Sequence, residues 1–247
     1  MRLLAALQFL TVIPVKRSFS AEQVGRSTGY FPVVGIVIGV ILAALNYLLS
    51  LVLPSSVVNA LLVVSLVVLS GGLHLEGLAD TCDGLAKHGT PDERRGVMHD
   101  SRVGGFGVIG IALVLLVKYI SLNSLPQGLM MFTLVTTPVI SRWAMVYAIF
   151  AYPYARASGL GKAFKQATGW RELVMATLVA LVLAAALLKL AGLVTLFMLW
   201  LLTMAVAVYL KRKFAGLTGD TYGAINEVAE SAVFILLSLL AYKHWLV

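Results

Sequence analysis

Three carboxylates, Glu76, Asp80 and Asp83, stand in the segment GGLHLEGLADTCDG (71–84). Their spacing is i, i+4, i+7, so a helix turning about 100° per residue gathers them into a stripe roughly 60° wide. Like charges placed this way repel one another unless a cation neutralises them. An all-oxygen donor set that leaves room for water and substrate phosphates suits Mg²⁺. Glu76, Asp80 and Asp83 are therefore read as metal ligands, with Asp83 also counted as a catalytic carboxylate. His74 falls on the opposite side of the same helix, which argues against a mixed His/carboxylate zinc site. The alternative is a solvated helix face. Gly77 and Gly84 favour a site, because they permit close approach to a ligand.

The wider stretch 71–107 holds six of the eleven acidic residues and three of the four histidines. Thr90-Pro91-Asp92-Glu93 reads as a helix start, with Thr90 as N-cap and Glu93 completing a capping box, so Asp92 and Glu93 are structural. Asp100 has no capping role and is the candidate general base. Arg102 is a candidate phosphate clamp, with a membrane-surface anchor as the other reading. His88 and His99 read as polar fillers. A second polar cluster, GDTYGAINEVAE (219–230), puts Asp220 and Glu227 on one face if helical. Both are candidates for holding substrate or a second metal, with Asp220 as a plain N-cap the structural alternative. Arg142 lies within an apolar run, where an ionisable group is costly and marks function. It is a candidate substrate contact, or else pairs with a carboxylate. The segment PYARASGLG (153–161), with Lys162 and Lys165, adds cationic, glycine-rich surface for an anionic substrate.

The elements that must position these groups are membrane helices. The 247 residues are 60% hydrophobic and only 12% charged, with a mean hydropathy of +0.94, whereas a soluble domain carries about 25% charged residues. Apolar runs at 31–53, 57–73, 103–122, 128–151 and 232–247 approach or reach the length a bilayer requires. The run 173–210 is long enough for two spans turning near Lys189 and Gly192. Residues 3–15 are too short to span and are expected at the interface or as a re-entrant segment; without a cleavage site they stay in the mature chain. The fold class is all-α: a polytopic helical bundle of about seven transmembrane helices, in one domain over 1–247. Lys243, His244 and Trp245 form an interfacial set at its end, and the single Cys82 excludes an internal disulfide.

Charge orients the bundle. Fifteen of the nineteen Lys and Arg fall in 1–30, 74–102, 152–172 and 211–231. The positive-inside rule then places the N-terminus and these segments in the cytoplasm, the last three as active-site loops, and the protein in the inner membrane. The net charge of +8 sits in short connections, which suits an anionic membrane surface and not nucleic acid. Bilayer lipid is the expected surrounding, and a homo-oligomer is compatible with the sequence.

These motifs together resemble the adenosylcobinamide-GDP ribazoletransferase (cobalamin synthase) family. The matching pieces are FLTVIPV (9–15), YFPVVG (30–35), GGLHLEGLADTCDG (71–84), MHDSRVGGFG (98–107), SRW with YARASGLG (141–161) and GDTYGA with its following acids (219–230). They cover nearly the whole chain. Glu76 departs from the family pattern, which has Asp there; oxygen ligation survives with a longer reach. The resemblance implies a Mg²⁺-dependent transfer from adenosylcobinamide-GDP to α-ribazole or its 5′-phosphate, releasing GMP and forming adenosylcobalamin or its 5′-phosphate. Membrane CDP-alcohol phosphotransferases are the nearest alternative. Their pattern starts correctly at Asp80 and Asp83, but Lys87 stands where Ala-Arg is required, and position 104 is Gly where a later Asp belongs. An ion-coupled transporter would place its binding groups near the midplane, whereas these acids gather at one face.

Overall fold

Proline, glycine and capping residues divide the apolar sequence into helices. The computed structural model describes residues 1–100 and 102–243, and no strand forms among them. Helix α1 (Arg2–Leu10) buries Ala5, Ala6 and Leu10 against the bundle. A short α2 (Ala21–Gly25) starts on a Ser20/Gln23 capping box, and a 3₁₀ turn (Thr28–Tyr30) runs straight into α3 (Phe31–Ser50). Pro54 starts α4 (Ser55–Leu69). Gly71 and Gly72 then take left-handed φ values of 62° and 71°, open to glycine at little cost. They turn the chain by 87° into α5 (Leu73–Ala86). The expected capping box at Thr90 and Glu93 starts α6 (Pro91–Val97).

Helix α7 (Gly105–Asn123) leads through Pro126 into α8 (Gln127–Ala151), then α9 (Leu160–Ala167), α10 (Trp170–Phe214) and α11 (Gly219–Tyr242). Five of these helices are long and apolar enough to cross a membrane, six if α4 and α5 count as one bent span. Their outer faces are greasy: on α7 alone Val108, Ile109, Leu113, Leu116 and Ile120 are exposed. Side chains of that kind need a hydrocarbon environment.

The expected pair of spans in 173–210 is a single 45-residue helical stretch broken only at Lys189, which has φ 51° and ψ −133°. A Cβ on Gly192 would collide with the Ala184 backbone eight residues earlier. A straight helix would hold those positions about 12 Å apart, so the chain doubles back with no loop. The final span begins at Gly219 rather than 232, so most of the segment expected as a loop at 211–231 is helix. His244 and Trp245 lie outside the described residues.

Helices α3 and α8 form the centre. Gly35 and Gly39 bring α3 onto the α8 backbone, where a Cβ would sit 2.5 Å from the Pro138 carbonyl and 2.6 Å from Val135 Cα. Helix α5 lies across the first turns of α11 and beside α7. That crossing builds the site.

Candidate active site

Gly77 governs where α5 meets α11. A Cβ there would come within 2.7 Å of the Asp220 carbonyl oxygen, so only hydrogen lets the two backbones close. Helix α11 is capped by Thr218, whose hydroxyl accepts from the Thr221 N–H at 3.2 Å. Asp220 is thus freed from the capping duty that its position suggested. On the other side, the 153–161 segment is pinned by two backbone bonds of 2.8 Å, from Ala155 N–H to Leu217 O and from Leu217 N–H to Pro153 O. That pinning delivers Arg156, whose Nη2 donates to Asp220 Oδ2 at 2.8 Å.

These elements enclose a cavity of about 650 Å³, within the range usual for small-molecule sites. Glu76, Asp80 and Asp220 line it, with Arg95, Arg156 and His99. Arg95 is steadied by its bonds to the Phe214 carbonyl and to Asp92. Acidic and guanidinium groups sharing one chamber can bind a polyanion together with a cation. Arg95 and His99 carried no distinguishing signal in sequence; they reach the cavity because α6 packs on α5 and α10.

Asp83 does not line that cavity. Its Oδ2 accepts from the Gly104 N–H at 2.7 Å and its Oδ1 from the Gly107 N–H at 2.8 Å. Gly104 is the N-cap of α7 and has no side chain to do this itself, so Asp83 caps α7 from a neighbouring helix. The three-carboxylate stripe is therefore split. Glu76 and Asp80 face the cavity, joined by Asp220, while Asp83 turns to α7. Among the described residues no three His, Cys, Asp or Glu side chains form a ready-made metal cage.

Asp100 and Arg102 are also displaced from the expected site. They grip one another, Nε to Oδ1 at 3.1 Å and Nη2 to Oδ2 at 2.8 Å, on the exposed rim of a separate pocket that Asp83 borders. The Arg102 hydrogen bonds hold the Asp100 carboxyl down at about 2. A general base works best with a pKa near the operating pH, and Asp100 has neither that basicity nor a place in the cavity.

Arg142 and Glu227, expected to touch substrate, are absent from the cavity lining. Both are buried in an ion network that crosses the bundle. Lys118 of α7 donates to Glu227 at 2.6 Å and also pairs with Glu230, which in turn binds Arg142 of α8. Two cations meet two carboxylates, so the network is neutral as a whole, which is what makes buried charge tolerable in an apolar bundle. Lys118 was the readable signal for this cluster, since an ionisable residue inside an apolar run needs a partner. His74 is also buried, with neither ring nitrogen hydrogen-bonded.

The comparison with known families decides what this arrangement belongs to. Residues 2–238 match the family model described as cobalamin-5-phosphate synthase. The chain belongs to that family. Curated relatives named adenosylcobinamide-GDP ribazoletransferase include proteins of Geotalea daltonii and Desulforamulus reducens. The first is 39% identical over 96% of this chain and 95% of its own length. The second is 37% identical, over 95% and 94%. A Roseiflexus relative of the same name is 37% identical, over 96% of this chain and 88% of its own. No solved structure matches. Membership of the cobalamin-5-phosphate synthase family sets aside the CDP-alcohol and transporter alternatives.

Proposed function

We propose that the cavity between α5, the start of α11 and the 153–161 segment is the chamber in which this family's transfer takes place. The activity is that of an adenosylcobinamide-GDP ribazoletransferase of cobalamin biosynthesis. A hydroxyl of α-ribazole, or of its 5′-phosphate, attacks the phosphorus on the cobinamide side of the pyrophosphate. The bond from that phosphorus to the bridging oxygen breaks, and GMP leaves carrying that oxygen. The new phosphodiester is adenosylcobalamin or its 5′-phosphate. The hydroxyl proton passes to a carboxylate of the cavity wall.

Arg156 and Arg95 bind the pyrophosphate oxygens. Arg156 already forms a charge-assisted bond to Asp220, so it can shift part of that bonding to phosphate without leaving its place. Glu76, Asp80 and Asp220 are the residues that would hold Mg²⁺. Their oxygens suit a hard cation, and their loose grouping suits a metal that takes one or two carboxylates and keeps waters and substrate phosphates. When bound, Mg²⁺ supplies neutralisation of the charge that develops on the phosphate oxygens.

The chamber faces the cytoplasm of the inner membrane in this reading. Counting the two arms of α10 separately, and α4 with α5 as one crossing, gives seven crossings with the N-terminus inside. That count agrees with the fifteen inner-side cations.

The observation that carries the proposal is the convergence of Glu76, Asp80, Asp220, Arg95 and Arg156, from four separate segments, on one cavity. Purified protein given adenosylcobinamide-GDP and α-ribazole should release GMP with Mg²⁺ and stop when the metal is chelated. Undiminished release from Asp80→Ala and Asp220→Ala would sink the assignment.

A further inference from the structure

The carboxylates occupy only part of the cavity. Phe9 of α1, Phe31 of α3 and Phe164 of α9 also line it, with Met145 and Ile149 of α8 beside them. The three rings form one cluster. Phe9 and Phe164 meet edge to face with centroids 4.8 Å apart, Phe31 and Phe164 at 5.6 Å, and Phe9 and Phe31 lie nearly parallel at 6.2 Å. None of these five side chains carries a nitrogen or oxygen. The polar part of the lining comes from α5, α11, the segment after α8, and Arg95 of α6 with His99 just beyond it, so the cavity has an aromatic part and a polar part.

Three stretches that no step of the transfer has used supply this aromatic wall: the ends of FLTVIPV and YFPVVG nearest the cavity, and the helix that follows YARASGLG. Resting on the reading of the cavity as the transfer chamber, we infer that Phe9, the partly exposed ring of the cluster, backed by the buried Phe31 and Phe164, forms the subsite for the aromatic base of the ribazole acceptor.

The chemistry of the two substrates separates them. Guanine carries an exocyclic amine, a ring N–H and a carbonyl, and burying these against hydrocarbon leaves each without a partner, at a substantial cost. The benzimidazole of α-ribazole presents a fused hydrocarbon ring that needs none. A flat ring against Phe9, which Phe31 and Phe164 hold in place from behind, gains both burial and ring-quadrupole attraction. Seated there, the base leaves its ribose directed toward the carboxylate and arginine wall, where the attacking hydroxyl is required. The GDP moiety and the bulky corrin are left to the polar side and the cavity mouth.

Steady-state GMP release, with each substrate varied in turn, tests this on Phe9→Leu and Phe164→Leu. Phe9 is the safer position, because it is only half-buried on the peripheral α1. It decides the matter if the Phe164 variant does not fold. The expected result is about a 3- to 10-fold rise in KM for α-ribazole, with KM for adenosylcobinamide-GDP unchanged. A rise in the adenosylcobinamide-GDP KM instead would put guanine or corrin on this wall and overturn the inference, as would two unchanged KM values. Equilibrium dialysis of α-ribazole against the detergent-purified protein, without the second substrate, separates this from the reaction itself. If the natural chain releases no GMP, the transfer reading fails. Ribazole binding that weakens in Phe9→Leu then still upholds the subsite, and no binding overturns it.

Discussion

Asp80 and Asp83 differ by three positions in sequence, yet the fold gives them unlike work. Asp83 holds two N–H groups of α7, so Asp83→Ala should lower stability by about 1–3 kcal/mol, measured by thermal unfolding in detergent. Asp83→Asn, which keeps one acceptor, should lose less. Asp80→Ala should abolish GMP release and leave the unfolding temperature nearly unchanged. The reverse pattern would restore Asp83 to the reaction. Glu230 is the hub of the buried network, bonded to both Lys118 and Arg142. Glu230→Gln leaves two cations facing one carboxylate in an apolar bundle, a loss of about 3–5 kcal/mol that the same unfolding assay reads. Lys118→Met combined with Glu227→Gln removes one charge of each sign and should cost less than Glu230→Gln alone. Asp100 gives a pH test. Its folded-state pKa is depressed from 3.8 to about 2, so the stability it contributes is present above about 3.8 and lost only as pH falls toward 2. It stays ionised at every pH where an enzyme assay is practical. Any acid limb in the rate profile above pH 4 should therefore persist in Asp100→Asn, and disappearance of that limb would make Asp100 the base after all.

At the scale of elements, the site depends on how closely α5 crosses α11. Gly77 against the Asp220 backbone is the contact that sets this distance. Gly77→Ala inserts a methyl where only hydrogen fits, and overpacking of this kind costs about 1–3 kcal/mol. The helices should remain, by circular dichroism, while GMP release falls far more than stability does, because Asp220 is pushed from Asp80. A Gly77→Ala variant with full activity would show that the crossing does not set the geometry. Helix α6 is the contrasting case. Its start was legible at Thr90 and Glu93 because a capping box is a local device. That it brings Arg95 over the cavity is a tertiary matter.

For the whole molecule, the charge distribution predicts which way the bundle faces. The seven-crossing reading puts the α7–α8 connection outside. Cys82 is the lone thiol, so a Cys82→Ala background carrying Ser124→Cys provides a clean reporter. An impermeant maleimide applied to intact cells should label it. Labelling only after the cells are opened would invert the topology and move the chamber to the other face. The apolar exterior of α7 and of the α10 hairpin makes the bilayer part of the folded state, so these stability measurements belong in detergent or lipid at fixed composition.

Composition and hydrophobic run length alone determined that this chain is a helical membrane protein, because the need to satisfy every backbone N–H and C=O inside hydrocarbon leaves helices as the solution for long apolar runs. The motif GGLHLEGLADTCDG also put Glu76 and Asp80 on one helix face, and both line the cavity, since helical spacing is a local property. The turn at Lys189 was legible for the same reason, a polar residue in mid-run. What the tertiary structure decided was partnership. Asp83 looked like a third ligand until α7 presented two N–H groups to it, and Arg142 and Glu227 looked like substrate contacts until Lys118 and Glu230 were found beside them. A carboxylate or guanidinium has the same appearance in sequence whether it meets a substrate or another helix. Which of these it meets depends on residues more than a hundred positions away in the case of Lys118 and Glu227, brought near only by packing.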